Sequence, residues 1–218
     1  MKFINSLFVI QCHKTILQQI ANFLFLSFMY IMNAISFKAV LIDNTKIKIL
    51  NEKGEYIDRQ VSFVKRNPYS KLDYNTLVDL GQLWGNVKPN YVVSMLNHSD
   101  IIVDNERRDV YFLTEQEKNY RKILPEKVLG VIEITKHKDF SQINFIQTAP
   151  DKAFSQKQRT KKGIGWAMLT MSEKIYGKNK IVLNAVRKAV EFYKKYGFVI
   201  TYNQYTNPRM VLNRNVKK

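Results

Sequence analysis

Apolar and polar positions change rhythm several times along this 218-residue chain. From Phe37 they alternate: FKAVLI, KIKIL and YIDRQVSFV put apolar side chains at roughly every second position, the period of a strand with one buried face. Asn51 to Gly54 separates the last two as a turn, so the region predicts an N-terminal meander. Leu77, Leu80 and Trp84 follow at spacings of three and four, which places LVDLGQLW on a helix with one apolar face and Trp84 in the core. DVYFLTE (109–115), VLGVIEITKH (128–137) and INFIQTAP (143–150) read as strands, the last stopped by Pro150. Ile164, Met168, Met171 and Ile175 then recur at four, three and four, giving a helix from Gly163 to Tyr176 with Gly177 as a left-handed stop. KIVLNAV (180–186) is a short strand, RKAVEFYKKYG a helix, and FVITYNQY with RMVLNRN a terminal strand pair. Helices intermixed with meander-like strands indicate an α+β class built around a mixed sheet. No internal repeat is visible.

Residues 1–31 break this pattern. They contain no acid, two lysines and dense apolar residues, and Phe23 to Met32 is apolar except for Ser27. That run is short for a membrane span, and a long apolar lead with no small-residue cleavage site makes a poor signal peptide. Three readings stand open: an upstream start before a chain that begins at Met32, a docked amphipathic helix, or a membrane anchor. The expected organisation is an apolar extension, 1–31, followed by one domain, 32–218.

Charge narrows the chemistry. The chain carries 35 basic and 18 acidic residues, a net charge of +17, and residues 151–218 alone hold 16 Lys/Arg against 3 Asp/Glu. A basic region of this kind attracts phosphates, whether of a nucleotide cofactor, a nucleic acid or a lipid surface, or its lysines are simply solvated. Cys12 is the single cysteine, which excludes an intramolecular disulfide or cysteine metal cluster and fits a reducing compartment, and His13, His98 and His137 are too scattered to suggest a zinc site.

Two stretches carry candidate chemistry. In TKKGIGWAML two glycines open a helix, at a cost to helix stability. Without β-carbons, Gly163 and Gly165 let a ligand come close to the unpaired N–H groups of the first turn, where the helix dipole favours an anion and Arg159, Lys161 and Lys162 add charge. A glycine pair also occurs where a loop packs tightly on a strand. The stretch is neither a Walker loop nor a Rossmann fingerprint. In the second, Ala189, Phe192, Tyr193 and Tyr196 share one helical stripe, Lys194 and Lys195 complement the C-terminal dipole, and Gly197 supplies a left-handed cap. Periodicity alone makes Tyr193 a core tyrosine.

In order and spacing, strand-Pro-loop-GIG-helix followed by strand-A-x-x-FY-x-x-x-GF resembles the GNAT family of acyl-CoA-dependent N-acyltransferases, over residues 128–218; Phe37 to Glu126 is compatible but adds no motif. The resemblance implies a mixed, strongly twisted central sheet flanked by helices and splayed open between two central strands, with acyl-CoA in the opening. Ile146, Gln147 and Thr148 would offer backbone groups to the pantetheine arm. Arg159, Thr160, Lys161, Lys162, Gly163, Ile164 and Gly165 would wrap the pyrophosphate, and Tyr193 would protonate the departing thiolate. Two departures stand out. The family favours Gln or Arg three residues before the first glycine, where this chain has Thr160, with a loop after Pro150 that is longer than usual. Many members have Asn seven residues before the tyrosine, where this chain has Val186, with Asn184 two positions away as a further cofactor-binding candidate.

Such a reaction needs a neutral amine, although a lysine-like amine titrates near about 10.4, and an acid for the leaving thiolate, a role open to a phenol with a pKa of about 10. Glu133 is the candidate base, by way of a water, with a salt-bridged strand carboxylate as its plain alternative; His137 is a weaker candidate. Proximity in a ternary complex would supply part of the acceleration. The expected activity is acetyl transfer from acetyl-CoA to a primary amine, without metal, in the cytoplasm. A catalytically silent module binding RNA or a ribosomal surface is the alternative. Partners beyond acyl-CoA and the amine acceptor are nucleic acid through the basic half, a membrane through residues 1–31 only, and a second copy in a homodimer. The acceptor would be chosen around Leu77 to Asn97 and Arg107 to Glu126.

Overall fold

The structure, a computed structural model, describes residues 38–84, 107–150, 159–202 and 207–213. The extension 1–31, most of the loop after Pro150 and the Gly85–Asn97 part of the acceptor-selecting region lie outside the described residues.

The chain begins with a long hairpin, β1 (Val40–Leu50) and β2 (Tyr56–Lys65), closed by the turn at Asn51–Gly54, where Gly54 has φ +80°. The VLI of the first segment and KIKIL belong to one strand, not two. The polar Asp43-Asn44-Thr45 between them follows a register shift between Leu41 and Asp43, so the break in the apolar pattern is a bulge inside a continuous ladder. Helix α1 (Lys71–Leu83) follows, capped by Ser70, whose Oγ accepts from the Asp73 amide at 3.2 Å. Strands β3 (Arg107–Thr114), β4 (Val128–Lys136) and β5 (Phe140–Thr148) continue the antiparallel sheet. Then come the two-residue strand β6 (Lys161–Lys162), α2 (Ile164–Tyr176), β7 (Lys180–Asn184), α3 (Val190–Tyr196), β8 (Phe198–Tyr202) and β9 (Arg209–Leu212).

Among the described residues the strands form one nine-stranded sheet in the order β6-β1-β2-β3-β4-β5-β7-β9-β8. All neighbours are antiparallel except β5 and β7, so the sheet is mixed, as expected of the class. That one parallel pair requires a crossover, and α2 lies within it.

Alternation along the strands sorts the core into two layers. Ile47, Phe63, Tyr111, Ile132, Ile143 and Leu183 point to one face, where Ile164, Ala167, Met168 and Met171 of α2 and Tyr193 and Tyr196 of α3 cover them. Val64, Val110, Phe112 and Val131 point to the other, against Leu77 and Leu80 of α1 and against Trp84, which is 3% exposed and a core residue. The last turn of α2 is tied to the first layer by a buried chain: the Tyr111 and Tyr176 hydroxyls lie 2.6 Å apart, Tyr176 donates to Asp109 at 2.9 Å, and Lys65 pairs with the same carboxylate oxygen at 2.6 Å.

Gly177 is not the left-handed stop expected. It has φ −64° and is glycine because a β-carbon there would collide with the Glu173 carbonyl oxygen. Gly197 does take the left-handed conformation, φ 118°, and its amide donates to the Tyr193 and Lys194 carbonyls.

Candidate active site

The parallel strands β5 and β7 share a ladder from Phe140 opposite Lys180 only as far as Ile143 opposite Leu183. Beyond it β5 runs on through Asn144–Thr148 while β7 ends at Asn184. The pairing of β4 with β5 also shifts register here, Glu133 facing Phe145 and Ile134 facing Ile143, which leaves Asn144 as the extra residue of a bulge. Ile146, Gln147 and Thr148 therefore pair with Ile132, Val131 and Gly130 of β4 on one side and have no ladder to β7 on the other.

Helices α2 and α3 follow β5 and β7 in the chain and pack on the same face. Gly163 caps α2 with φ 84° and ψ 1°, a left-handed conformation natural to glycine, and a β-carbon there would meet nothing within 4 Å. No side chain caps this end, and Ala167 is the first amide of α2 with a helical bond, to the Gly163 carbonyl at 2.8 Å. The amides of Ile164, Gly165 and Trp166 are left at the positive end of the dipole, beside open space. Gly165 has a different reason to be glycine: a β-carbon would stand 3.0 Å from Cζ of Phe192, so this position sets the approach of α3 to α2 and is not a point of ligand access for the side chain.

The residues before Gly163 are more ordered than a polar loop. Lys161 and Lys162 pair with Ile49 and Lys48 of β1, Leu50 donates to the Thr160 carbonyl at 2.8 Å, and the Tyr56 hydroxyl donates to the Arg159 carbonyl at 2.6 Å. The lysine side chains have partners of their own. Lys161 pairs with Glu115 at 3.0 Å, and Lys162 lies over the Tyr56 ring, 3.8 Å from its centroid. The expected ring of free cations is thus reduced, while the backbone of the turn is held in place by the first hairpin.

Tyr193 is 7% exposed, among the rings of Phe192 at 5.3 Å and Phe198 at 5.7 Å. Among the described residues its hydroxyl has no hydrogen-bond partner, and burial pushes the phenol up to about 12. Its neighbour on the stripe, Tyr196, is satisfied by Glu173 at 3.0 Å and Thr170 at 3.3 Å. The stripe is therefore core, and one hydroxyl in it is left over.

Glu133 points to the α1 face, opposite α2 and α3. It is 3% exposed and accepts from Asn144 Nδ2 at 2.8 Å, with Arg108 at 3.9 Å. Asn144 also donates to the Thr135 hydroxyl at 2.6 Å, so the bulge residue orients the carboxylate. Asn184 does not join the Gly163 turn: its side chain lines a groove on the α1 face, with Arg209 and Tyr202. Asn144, Arg108, Tyr56 and Phe192 were not legible as site-shaping residues, because each acts through a strand register or a helix contact that no local motif encodes. No group of metal-ligating side chains occurs among the described residues.

No protein-family model and no curated protein matches the sequence. Solved structures do show a likeness. The PaiA N-acetyltransferase of Thermoplasma acidophilum, solved in complex with coenzyme A, is 18% identical over 70% of this chain and 99% of its own, with a TM-score of 0.43. Tetrahymena GCN5 is 15% identical over 77% of this chain and 95% of its own, TM-score 0.43. Escherichia coli ElaA is 14% identical over 70% and 99%, TM-score 0.47. At these identities and scores the likeness assigns neither activity nor substrate to this chain.

Proposed function

We propose that this chain is an acyl-CoA-dependent N-acyltransferase of GNAT type, transferring acetyl from acetyl-CoA to a primary amine in a ternary complex. One observation carries the reading: β5 and β7 are parallel neighbours that part after Ile143 and Leu183, and each leads to a helix whose free polar groups belong to the same face. The crevice beyond the carboxyl ends of parallel strands is where such sheets take ligands. One helix brings uncapped amides behind an open glycine, the other a hydroxyl on a buried ring, without a hydrogen-bond partner among the described residues.

The residues fit a pyrophosphate. The Ile164, Gly165 and Trp166 amides would hold it, and the Arg159–Lys162 strand would keep that turn in register through its carbonyl bonds to Tyr56 and Leu50. Ile146, Gln147 and Thr148 would offer the unpaired edge of β5 to an amide-bearing chain. Acetyl-CoA supplies the thioester. The amine nitrogen forms a bond to the acetyl carbon, the carbon–sulfur bond breaks with its electron pair on sulfur, and one proton leaves the nitrogen while one reaches the sulfur. Tyr193, kept protonated by burial, donates to that sulfur. Glu133 takes the proton from the amine through water, held ready by Asn144.

Acetyl-CoA at a hundredfold excess over its dissociation constant would stabilise the chain by about 2.7 kcal/mol. For a chain of this length that raises Tm by roughly 5–10 °C. No thermal shift and no binding by calorimetry would end the proposal.

A further inference from the structure

The C-terminal third of the sheet carries an open groove, on the face opposite α2 and α3. It encloses about 640 Å³ and is lined by Phe140, Lys180, Val182, Asn184, Arg209 and Tyr202, with Thr201 and Val211 beside them. Its placement follows from register. Phe140 pairs with Lys180, Val182 with Val211 and Asn184 with Arg209, whereas the intervening Ile181, Leu183, Met210 and Leu212 are buried under the helices.

Among the described residues the lining carries two cations, Lys180 and Arg209, with the neutral polar groups of Asn184, Thr201 and Tyr202, and no carboxylate. Three lysines of this region find acids, Lys161 with Glu115, Lys174 with Asp43 and Lys194 with Glu191. Among the described residues neither Lys180 nor Arg209 is in an ion pair. Arg209 instead reaches toward Phe140, its guanidinium carbon 5.8 Å from the ring centroid. Two cations without an ion pair among the described residues, flanked by neutral polar groups and floored by valines, suit an anion joined to a small organic body. The groove ends at Asn184, the last residue of β7, where β7 and β5 part. A molecule lying in it along β7 brings its far end to that opening.

We infer that this groove selects the acceptor: Arg209 and Lys180 hold a carboxylate or phosphate on the amine substrate, which approaches the opening from the sheet face opposite the helix that starts at Gly163. This rests on the acyltransferase reading, and adds the substrate class. The amine is carried by an anionic small molecule, and a polycationic acceptor such as a lysine-rich peptide is repelled.

Lys180 and the opening lie at opposite ends of β7, about 13 Å apart, so matched probes of comparable length test it with the full chain: 6-aminohexyl phosphate against 6-aminohexanol, and 6-aminohexanoate against 6-aminohexanamide, each pair sharing an amine and differing in the anion. Titration calorimetry in saturating desulfo-CoA, which fills the Gly163 turn, reads the groove alone, and thiol release from acetyl-CoA reads turnover. The anionic member of a pair should be preferred by about tenfold or more, the worth of a charge-assisted contact. The Lys180→Ala/Arg209→Ala double variant should lose that preference with acetyl-CoA affinity unchanged, and Arg209→Lys should retain part of it. Equal binding within both pairs, or a preference that survives the double variant, overturns the inference. Should the full chain fail to bind acetyl-CoA, the acyltransferase reading falls separately, and the calorimetric difference between wild type and double variant still decides whether the groove is an anion site.

Discussion

Replacing Tyr193 with Phe should make the protein less active while leaving its stability nearly unchanged. The hydroxyl is the only group removed, from a side chain 7% exposed and enclosed by Phe192 and Phe198. It has no hydrogen-bond partner among the described residues and is not among the fully buried polar atoms left unsatisfied, so it keeps contact with solvent and its removal breaks no bond within the protein. Phenylalanine keeps the ring contacts. The change should stay within about 0.5 kcal/mol, a shift of no more than roughly 1–2 °C in Tm. Turnover should fall by about a hundredfold or more, the usual contribution of a positioned proton donor, with acetyl-CoA affinity unchanged. Urea unfolding at neutral pH measures the first effect and thiol release from acetyl-CoA the second. Tyr196→Phe is the control: its hydroxyl is bonded to Glu173 and Thr170, so the same change should cost about 1 kcal/mol. A Tyr193→Phe protein destabilised by about 1 kcal/mol or more, or equally active, would refute the account of a hydroxyl kept for chemistry.

Three further predictions follow from other parts of the molecule. Asp73 is fully buried beside Arg66, and burial raises its carboxyl to about 6 from an ordinary value of about 3.9. Folding therefore favours the protonated form. Its contribution is complete below pH about 4 and is lost as pH rises through about 6, a difference of up to about 3 kcal/mol. Asp73→Asn should keep the acceptor for the Asn67 amide and remove this dependence, although it also takes away the carboxylate beside the buried Arg66; equal pH slopes of stability for both proteins in urea melts would contradict it. Gly163→Ala meets no atom but forces a left-handed backbone, and should lower stability by about 1–2 kcal/mol, whereas Gly165→Ala should act by displacing Phe192 and with it Tyr193, lowering turnover more than acetyl-CoA affinity. Tyr176→Phe breaks the buried hydroxyl contact with Tyr111 and the bond to Asp109, leaving both with a lost partner, and should cost about 1–3 kcal/mol in urea unfolding; a neutral variant would mean that water replaces it.

Much of the fold was legible because its signals are local. Apolar alternation marked the strands from β2 to β5, the three-and-four spacing marked α1 and α2, and Gly197 marked the end of α3, since each reflects the geometry of a few consecutive residues. The same signals misled where two local causes look alike. The polar break in β1, read as the gap between two strands, is a bulge inside one, and Gly177 is glycine for a close carbonyl rather than for a left-handed angle. Residues 161–162 gave no strand signal at all, because two lysines become a strand only when β1 offers them an edge.

The candidate site divides in the same way. By itself the sequence determined that Gly163 starts a helix in a basic stretch and that Tyr193 lies on an inward stripe, because periodicity and backbone freedom are properties of short segments. Only tertiary structure decided which of those features were available for chemistry. Glu115 and Tyr56 occupy the lysines, Phe192 occupies the space at Gly165, Asn144 grips Glu133, and Asn184 turns to the far face beside Arg209. Each of these depends on pairing between residues distant in the chain, and a strand's register, once fixed, sends every second side chain to a face that no local pattern can name.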